Sequence, residues 1–141
     1  MKKIMALDYG SKRIGVAASD PLGLTAQGVC VIERKNKKKD IAEIVALADK
    51  LDAGEILMGK PMRMTGTPGT LQEEIELFAV ALEKAAGRPV TLRDERFTTV
   101  QAERHLIAAD VSREKRKGVI DKIAAQLLLQ NYLDSLPRTG D

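Results

Sequence analysis

The chain has one cysteine, Cys30, and one histidine, His105. An internal disulfide and a Cys/His zinc cage are therefore both excluded. Tryptophan is absent and the aromatics are Tyr9, Phe78, Phe97 and Tyr132 alone, 3% of residues, too few to form a stacking platform for single-stranded nucleic acid. No apolar run reaches the roughly 18 residues a membrane-spanning helix needs, and the N-terminal segment meets a carboxylate at Asp8 before an export signal could form. A cytoplasmic protein with no membrane association is expected. With 141 residues, 44% of them apolar and 30% charged, the chain can bury one core but cannot build a second domain of equal size. A single domain over 1–136 with a frayed tail at 137–141 follows. Among metal ligands, only carboxylates are present in number.

The net charge of +3 is small, but it is unevenly placed. Arg34, Lys35, Lys37, Lys38 and Lys39 contribute +5, and Arg113-Glu114-Lys115-Arg116-Lys117 contributes +3, leaving −5 for the rest of the chain. Two local basic clusters on an acidic body point to a polyanion bound at defined places.

Lys3 to Asp8 and Arg13 to Ser19 read as two strands joined by a tight turn at Tyr9-Gly10-Ser11, and Leu24 to Glu33 as a third. Asp40-Ile41-Ala42-Glu43 has the form of a capping box, and Ile41, Ile44, Val45, Ala48 and Leu51 behind it recur at helical spacing up to Gly54. Glu55 to Gly59 reads as a buried strand. Thr70-Leu71-Gln72-Glu73 opens a second helix with Leu71, Ile75, Phe78, Leu82 and Ala85 on one face, stopped at Gly87. Val90 to Arg93 is the next strand, Thr98 and Thr99 cap a helix bearing Leu106 and Ile107, and Val119 to Leu133 forms the last helix. The pattern predicts an α/β fold, a mixed five-stranded sheet with helices on both faces.

Three acids stand where chemistry could gather. Asp8 ends the first strand and Glu95 follows the strand at 90–93, and side chains at strand ends project into the crevice where ligands bind. At about 100° per residue, Asp121 falls about 20° past Leu128, at the edge of the apolar arc of the last helix. Clustering three carboxylates without a counter-charge is costly. A divalent cation such as Mg²⁺ removes that cost and can activate water for attack on a phosphodiester.

Four ordered blocks, Asp8-Tyr9-Gly10-Ser11-Lys12-Arg13-Ile14-Gly15-Val16-Ala17, Gly59-Lys60-Pro61, Asp94-Glu95-Arg96-Phe97-Thr98-Thr99, and the stretch from Ser112 to Ala125, together resemble the YqgF/RuvX family nearly end to end. The resemblance implies an RNase H-like fold and a bacterial nuclease. That family is described both as Holliday junction resolvases and as nucleases maturing the 5′ end of pre-16S ribosomal RNA. By motif position Asp8, Glu95 and Asp121 would be the catalytic, metal-binding acids, with Mg²⁺ or Mn²⁺ as cofactor. The family's loop after the fourth strand usually reads G-L-P with an acidic residue before the next glycine. Here Lys60 follows Gly59 and Thr65 precedes Gly66, which makes Lys60 and Arg63 candidates for phosphate contact.

Further nucleic-acid contacts are expected from Lys12, Arg13, Arg96, Arg113, Lys115, Arg116 and Lys117, to the backbone rather than the bases. Tyr9 is a candidate for stacking on a base. Gly54 to Pro61 imitates a Walker A motif but is a buried strand, with Pro61 in place of the metal-binding hydroxyl. Asp8-Tyr9-Gly10-Ser11 also resembles the phosphate loop of actin-like ATPases, whose nucleotide sits between two domains. The expected partner is precursor rRNA, or branched DNA if the protein resolves junctions as a homodimer rather than acting as a monomer. A non-catalytic nucleic-acid-binding module is the remaining alternative.

Overall fold

A computed structural model of the chain describes residues 3–10, 12–60, 69–94 and 113–136. Among these lie β1 (Lys3–Tyr9), β2 (Arg13–Ser19), β3 (Ala26–Glu33), α1 (Lys37–Leu51), β4 (Ala53–Lys60), α2 (Gly69–Ala86), β5 (Val90–Asp94) and α3 (Arg113–Ser135). The helix expected from Thr98 and the tail at 137–141 lie outside the described residues.

The strands form one sheet in the order β3-β2-β1-β4-β5. β1 runs antiparallel to β2 and parallel to β4, β5 continues parallel to β4, and β3 returns antiparallel to β2. β1 is therefore central, and the C-terminal ends of β1, β3, β4 and β5 share one end of the sheet. β1 and β2 are buried after their first residue, as strands covered on both faces must be. One face packs Met5, Leu7, Ile14, Val16, Ile56 and Met58 against Ile44 of α1 and Ile75, Phe78 and Leu82 of α2. The other packs Ile4, Ala6, Ala17 and Leu57 against Ala125, Leu128, Leu129 and Leu133 of α3. This is the expected mixed five-stranded sheet with helices on both faces. Ile56, Leu57 and Met58 are fully buried within β4, so the Walker A imitation is a core strand.

Several local expectations are corrected. α1 starts at Lys37, three residues before Asp40, and its cap is Asn36, whose side chain accepts from Lys39 N at 2.9 Å. Asp40 does not cap the helix because its carboxylate is buried against Arg34. The helix ends at Asp52 rather than Gly54; Asp52 is left-handed (φ 55°) and its N–H donates to the carbonyls of Ala48 and Asp49, a conformation Asp tolerates. α2 stops as expected before Gly87, at φ 65°, but Ala85 is exposed and Ala79 is buried instead. α3 begins at Arg113, six residues ahead of Val119, so the second basic cluster lies within the helix. Its buried stripe is Ala124, Ala125, Leu128 and Leu129, with Ile123 and Leu127 only half-buried.

Candidate active site

Asp8 is the next-to-last residue of the central strand. Side chains alternate along a strand: Met5, Leu7 and Tyr9 belong to the α1/α2 core, and Ile4 and Ala6 to the α3 core. Asp8 therefore belongs to the α3 face. It is 8% exposed, and with Asp40 it is one of two buried charged residues among the described residues. Its register partners are Gly15 on β2 and Gly59 on β4, so neither neighbouring strand contributes a side chain beside it.

α3 is held along β3 by glutamine side chains. Gln130 Oε1 accepts from Ala26 N at 2.9 Å, its Nε2 donates to Leu24 O at 3.0 Å, and Gln126 Nε2 donates to Ala26 O at 3.1 Å. The stem of Lys122 lies across Gly28, where an added Cβ would meet Lys122 Cγ at 2.8 Å. Going backward along α3 thus goes forward along β3, and the N-terminal half of the helix approaches the end of the sheet where Asp8 stands. Asp121 precedes buried Ala125 by four residues and Leu128 by seven. It therefore stands one turn ahead of Ala125, toward the N-terminal end of α3. The fold thus puts Asp8 and the helix position of Asp121 on the same face of the sheet. Glu95 follows the last residue of β5 and lies outside the described residues.

Among the expected nucleic-acid contacts, Lys12 is exposed in the β1–β2 connection and Arg13 opens β2, half-buried. Lys60 is the last residue of β4, in register with Asp94 of β5. Arg113, Lys115, Arg116 and Lys117 occupy the first turns of α3. Arg63, Arg96 and His105 lie outside the described residues.

Charge counting missed a polar network behind Asp8. Arg34, counted as part of a polyanion cluster, has a side chain 15% exposed, and its Nε donates to Asp40 Oδ2 at 3.1 Å. One of its terminal nitrogens donates to the Gly10 carbonyl at 3.1 Å, and its guanidinium lies 4.5 Å from the centre of the Tyr9 ring. Asp40 also accepts from Lys35 N at 3.0 Å. The Tyr9 hydroxyl donates to Glu74 at 2.5 Å, and burial with that bond pushes its pKa up to about 12. The Tyr9 ring packs edge-on against Phe78, 5.0 Å between centroids. Tyr9 is thus a core residue and not a base platform, and Phe78 is core as expected. Cys30 is half-buried against the α1/α2 core, and burial pushes its thiol up.

Among the described residues no three His, Cys, Asp or Glu side chains form a metal-holding group. The chemistry of the one placed donor nevertheless suits a hard cation. Asp8 offers carboxylate oxygens at a strand end, and Cys30, a soft ligand, packs with the opposite core. Glu95 and Asp121 would complete an all-oxygen set. Among the described residues no helix is long and apolar enough to cross a membrane.

A family model described as RuvX, Holliday junction resolvase, matches residues 2–135. A Halothermothrix orenii protein named "Putative pre-16S rRNA nuclease" is 53% identical over 132 residues, covering 94% of each chain. A Clostridium beijerinckii protein of the same name is 48% identical over 136 residues, covering 96% of this chain and 99% of its own. Among solved structures, T. thermophilus RuvC in complex with Holliday junction substrate superposes with a TM-score of 0.60 at 12% identity, covering 96% of this chain and 98% of that one. The likeness identifies the fold as RNase H-like.

Proposed function

Because this chain belongs to the RuvX family, we propose that it is a divalent-metal-dependent endonuclease that hydrolyses phosphodiester bonds in structured RNA, processing the 5′ end of pre-16S rRNA in the cytoplasm. The observation that carries the reading is the buried Asp8 carboxylate at the C-terminal end of the central strand, on the face of the sheet that α3, the helix carrying Asp121, covers. The names of the relatives at 53% and 48% identity supply the substrate class.

In this reading Asp8, Glu95 and Asp121 hold Mg²⁺ or Mn²⁺ within one domain over 1–136. A cation held there would supply activation of water and stabilisation of the leaving oxygen in an in-line displacement. The chain's own residues do the rest. Asp8, from a strand covered on both faces, supplies a carboxylate fixed by the sheet. The backbone of the substrate is gripped by Lys12, Arg13, Lys60 and Arg63, with Arg96 beside Glu95 and Arg113, Lys115, Arg116 and Lys117 at the start of α3. Contacts of this kind position the backbone without reading sequence.

A second reading, junction resolution, is favoured by the description of the family model and by the fold of RuvC. It requires two coordinated cuts and hence a symmetric dimer. One experiment separates the readings. A precursor rRNA fragment and a four-way DNA junction are incubated with the protein and Mg²⁺, beside Asp8→Asn and Asp121→Asn and with light scattering for oligomeric state. Cleavage of the RNA fragment by a monomer, abolished by either substitution and by chelation, is expected. An Asp8→Asn protein that cuts as fast as the parent would sink the assignment; paired cuts in the junction by a dimer would shift it to resolution. Binding without cleavage of either substrate would mean a non-catalytic module.

A further inference from the structure

We propose that Arg34 is a positioning residue for the active site, clamping the end of β1 from the opposite face of the sheet so that Asp8 is held ready for its cation. This rests on the nuclease reading above, in which Asp8 is a metal ligand.

Arg34 closes the β1–β2 connection from both sides. Its backbone N–H donates to Lys12 O at 2.9 Å, and its guanidinium donates to Gly10 O at 3.1 Å. The turn is close-packed here: a Cβ at Gly10 would come within 2.5 Å of Arg13 O. Between Gly10 and Asp8 stands Tyr9, with its ring 4.5 Å under the same guanidinium, which also lies 5.7 Å from the Phe78 centroid. The clamp is anchored in turn. Asp40, its side chain 1% exposed, takes Arg34 Nε at 3.1 Å and the N–H of Lys35 at 3.0 Å.

The register explains why such a clamp matters. The residues paired with Asp8 on both sides are Gly15 and Gly59, so its two direct register partners offer no side chain to pack against it. The backbone of residues 8–10 carries the carboxylate, so a shift there moves it, and a site must be held to within about half an ångström to work. A guanidinium suits the task because its planar fork can serve two acceptors in fixed directions while its face covers a ring. A lysine ammonium at the same place can neutralise Asp40 but cannot also bridge to Gly10 O and stack. Residues that orient a ligand from behind typically change metal affinity about 10–100-fold when altered.

The test uses the full chain without nucleic acid, with Mn²⁺ as the probe and calorimetry as the readout. Amide hydrogen exchange at Tyr9 and Gly10 is followed in the metal-free protein. Arg34→Lys keeps the charge beside Asp40, and the double variant Arg34→Met with Asp40→Leu removes both charges, so that no carboxylate is left buried and alone. Leu82→Ala, in the α2 core, is the control for general loss of stability, and Asp8→Asn is the control for the site itself. The expected result is Mn²⁺ binding about tenfold weaker in both Arg34 variants, faster exchange at Tyr9 and Gly10, and native Mn²⁺ affinity in Leu82→Ala. Native Mn²⁺ affinity in both Arg34 variants, or a loss no greater than in Leu82→Ala, overturns the proposal while Asp8→Asn still abolishes binding. If Asp8→Asn binds Mn²⁺ as the parent does, the metal-site reading fails and the proposal with it.

Discussion

Asp40 has a side chain 1% exposed, with Arg34 Nε at 3.1 Å. A buried charge is tolerated only when paired and hydrogen-bonded, and removing one partner of such a pair typically costs about 3–5 kcal/mol. Because Arg34 is itself 15% exposed and can draw on some water, Asp40→Ala is expected at the lower end, about 3 kcal/mol, read as a lowered midpoint in thermal or urea unfolding. A change within about 0.5 kcal/mol would show that the pair is not integral to the fold. The same residues mark a limit of charge counting. Arg34 and Lys35–Lys39 look alike as a basic run, and nothing local says that the first of them folds inward. Only the packing of α1 and α2 on the sheet brings Asp40, Tyr9 and Gly10 to it. By contrast Asp8 is legible as a site residue from its place at a strand end before Gly10, because strand ends open into a crevice whatever the rest of the fold does.

At the level of elements, the strands were readable to within a residue or two because apolar runs bounded by Gly, Asp and Ser leave little choice. Helix faces were harder, and α3 is instructive. Judged by bulk, Ile123 and Leu127 should face the sheet. The structure buries Ala124 and Ala125 with Leu128 and Leu129 instead, since small side chains let the helix approach closely. That rotation moves the stripe of α3 that faces the sheet away from the arc that bulk alone would choose. Gly28 serves the same close approach on β3, where the Lys122 stem crosses with its Cγ, Cδ and Cε at 2.8, 3.0 and 3.3 Å from a Cβ placed there. Gly28→Ala must push that stem aside, and moves the helix that carries it only where the stem cannot swing clear. Because Gly28 is exposed and the stem is a flexible side chain, the cost is at the low end for overpacking, about 1 kcal/mol. The expected outcome is a lower unfolding midpoint together with reduced cleavage at saturating metal. Combining Gly28→Ala with Lys122→Ala, which removes the obstructing stem, should recover most of both. Failure of the double variant to recover would mean that the glycine matters for backbone reasons alone.

Across the whole molecule, both basic stretches come to the end of the sheet that carries Asp8. β3 delivers the chain to that end at Glu33, so the first turn of α1, with Lys37, Lys38 and Lys39, begins there, and α3 reaches it with Arg113, Lys115, Arg116 and Lys117. This arrangement could not be read from the sequence, because it follows from the strand order β3-β2-β1-β4-β5 and the return path of α3. Cations at a helix N-terminus oppose the helix dipole, at about 0.3–1 kcal/mol each. Two helices that both begin this way are better matched to a bound polyanion than to the free protein. The two stretches differ in side, however: α3 covers the face of Asp8, whereas α1 packs with α2 on the other. Neutralising Lys115, Arg116 and Lys117 together should therefore weaken binding of structured RNA far more than neutralising Lys37, Lys38 and Lys39. Each lost phosphate contact lowers the slope of log affinity against log salt by about 0.9 for a duplex, somewhat less for a single strand. The α3 triple variant should thus flatten the slope by about 2–3 and the α1 variant by less than about 1. Fluorescence anisotropy of a labelled precursor rRNA fragment over a potassium chloride series, in chelator to prevent cleavage, reads both slopes. Equal flattening by the two variants would place the RNA across the end of the sheet rather than on the α3 face, and an unchanged slope in the α3 variant would remove that helix from the binding surface.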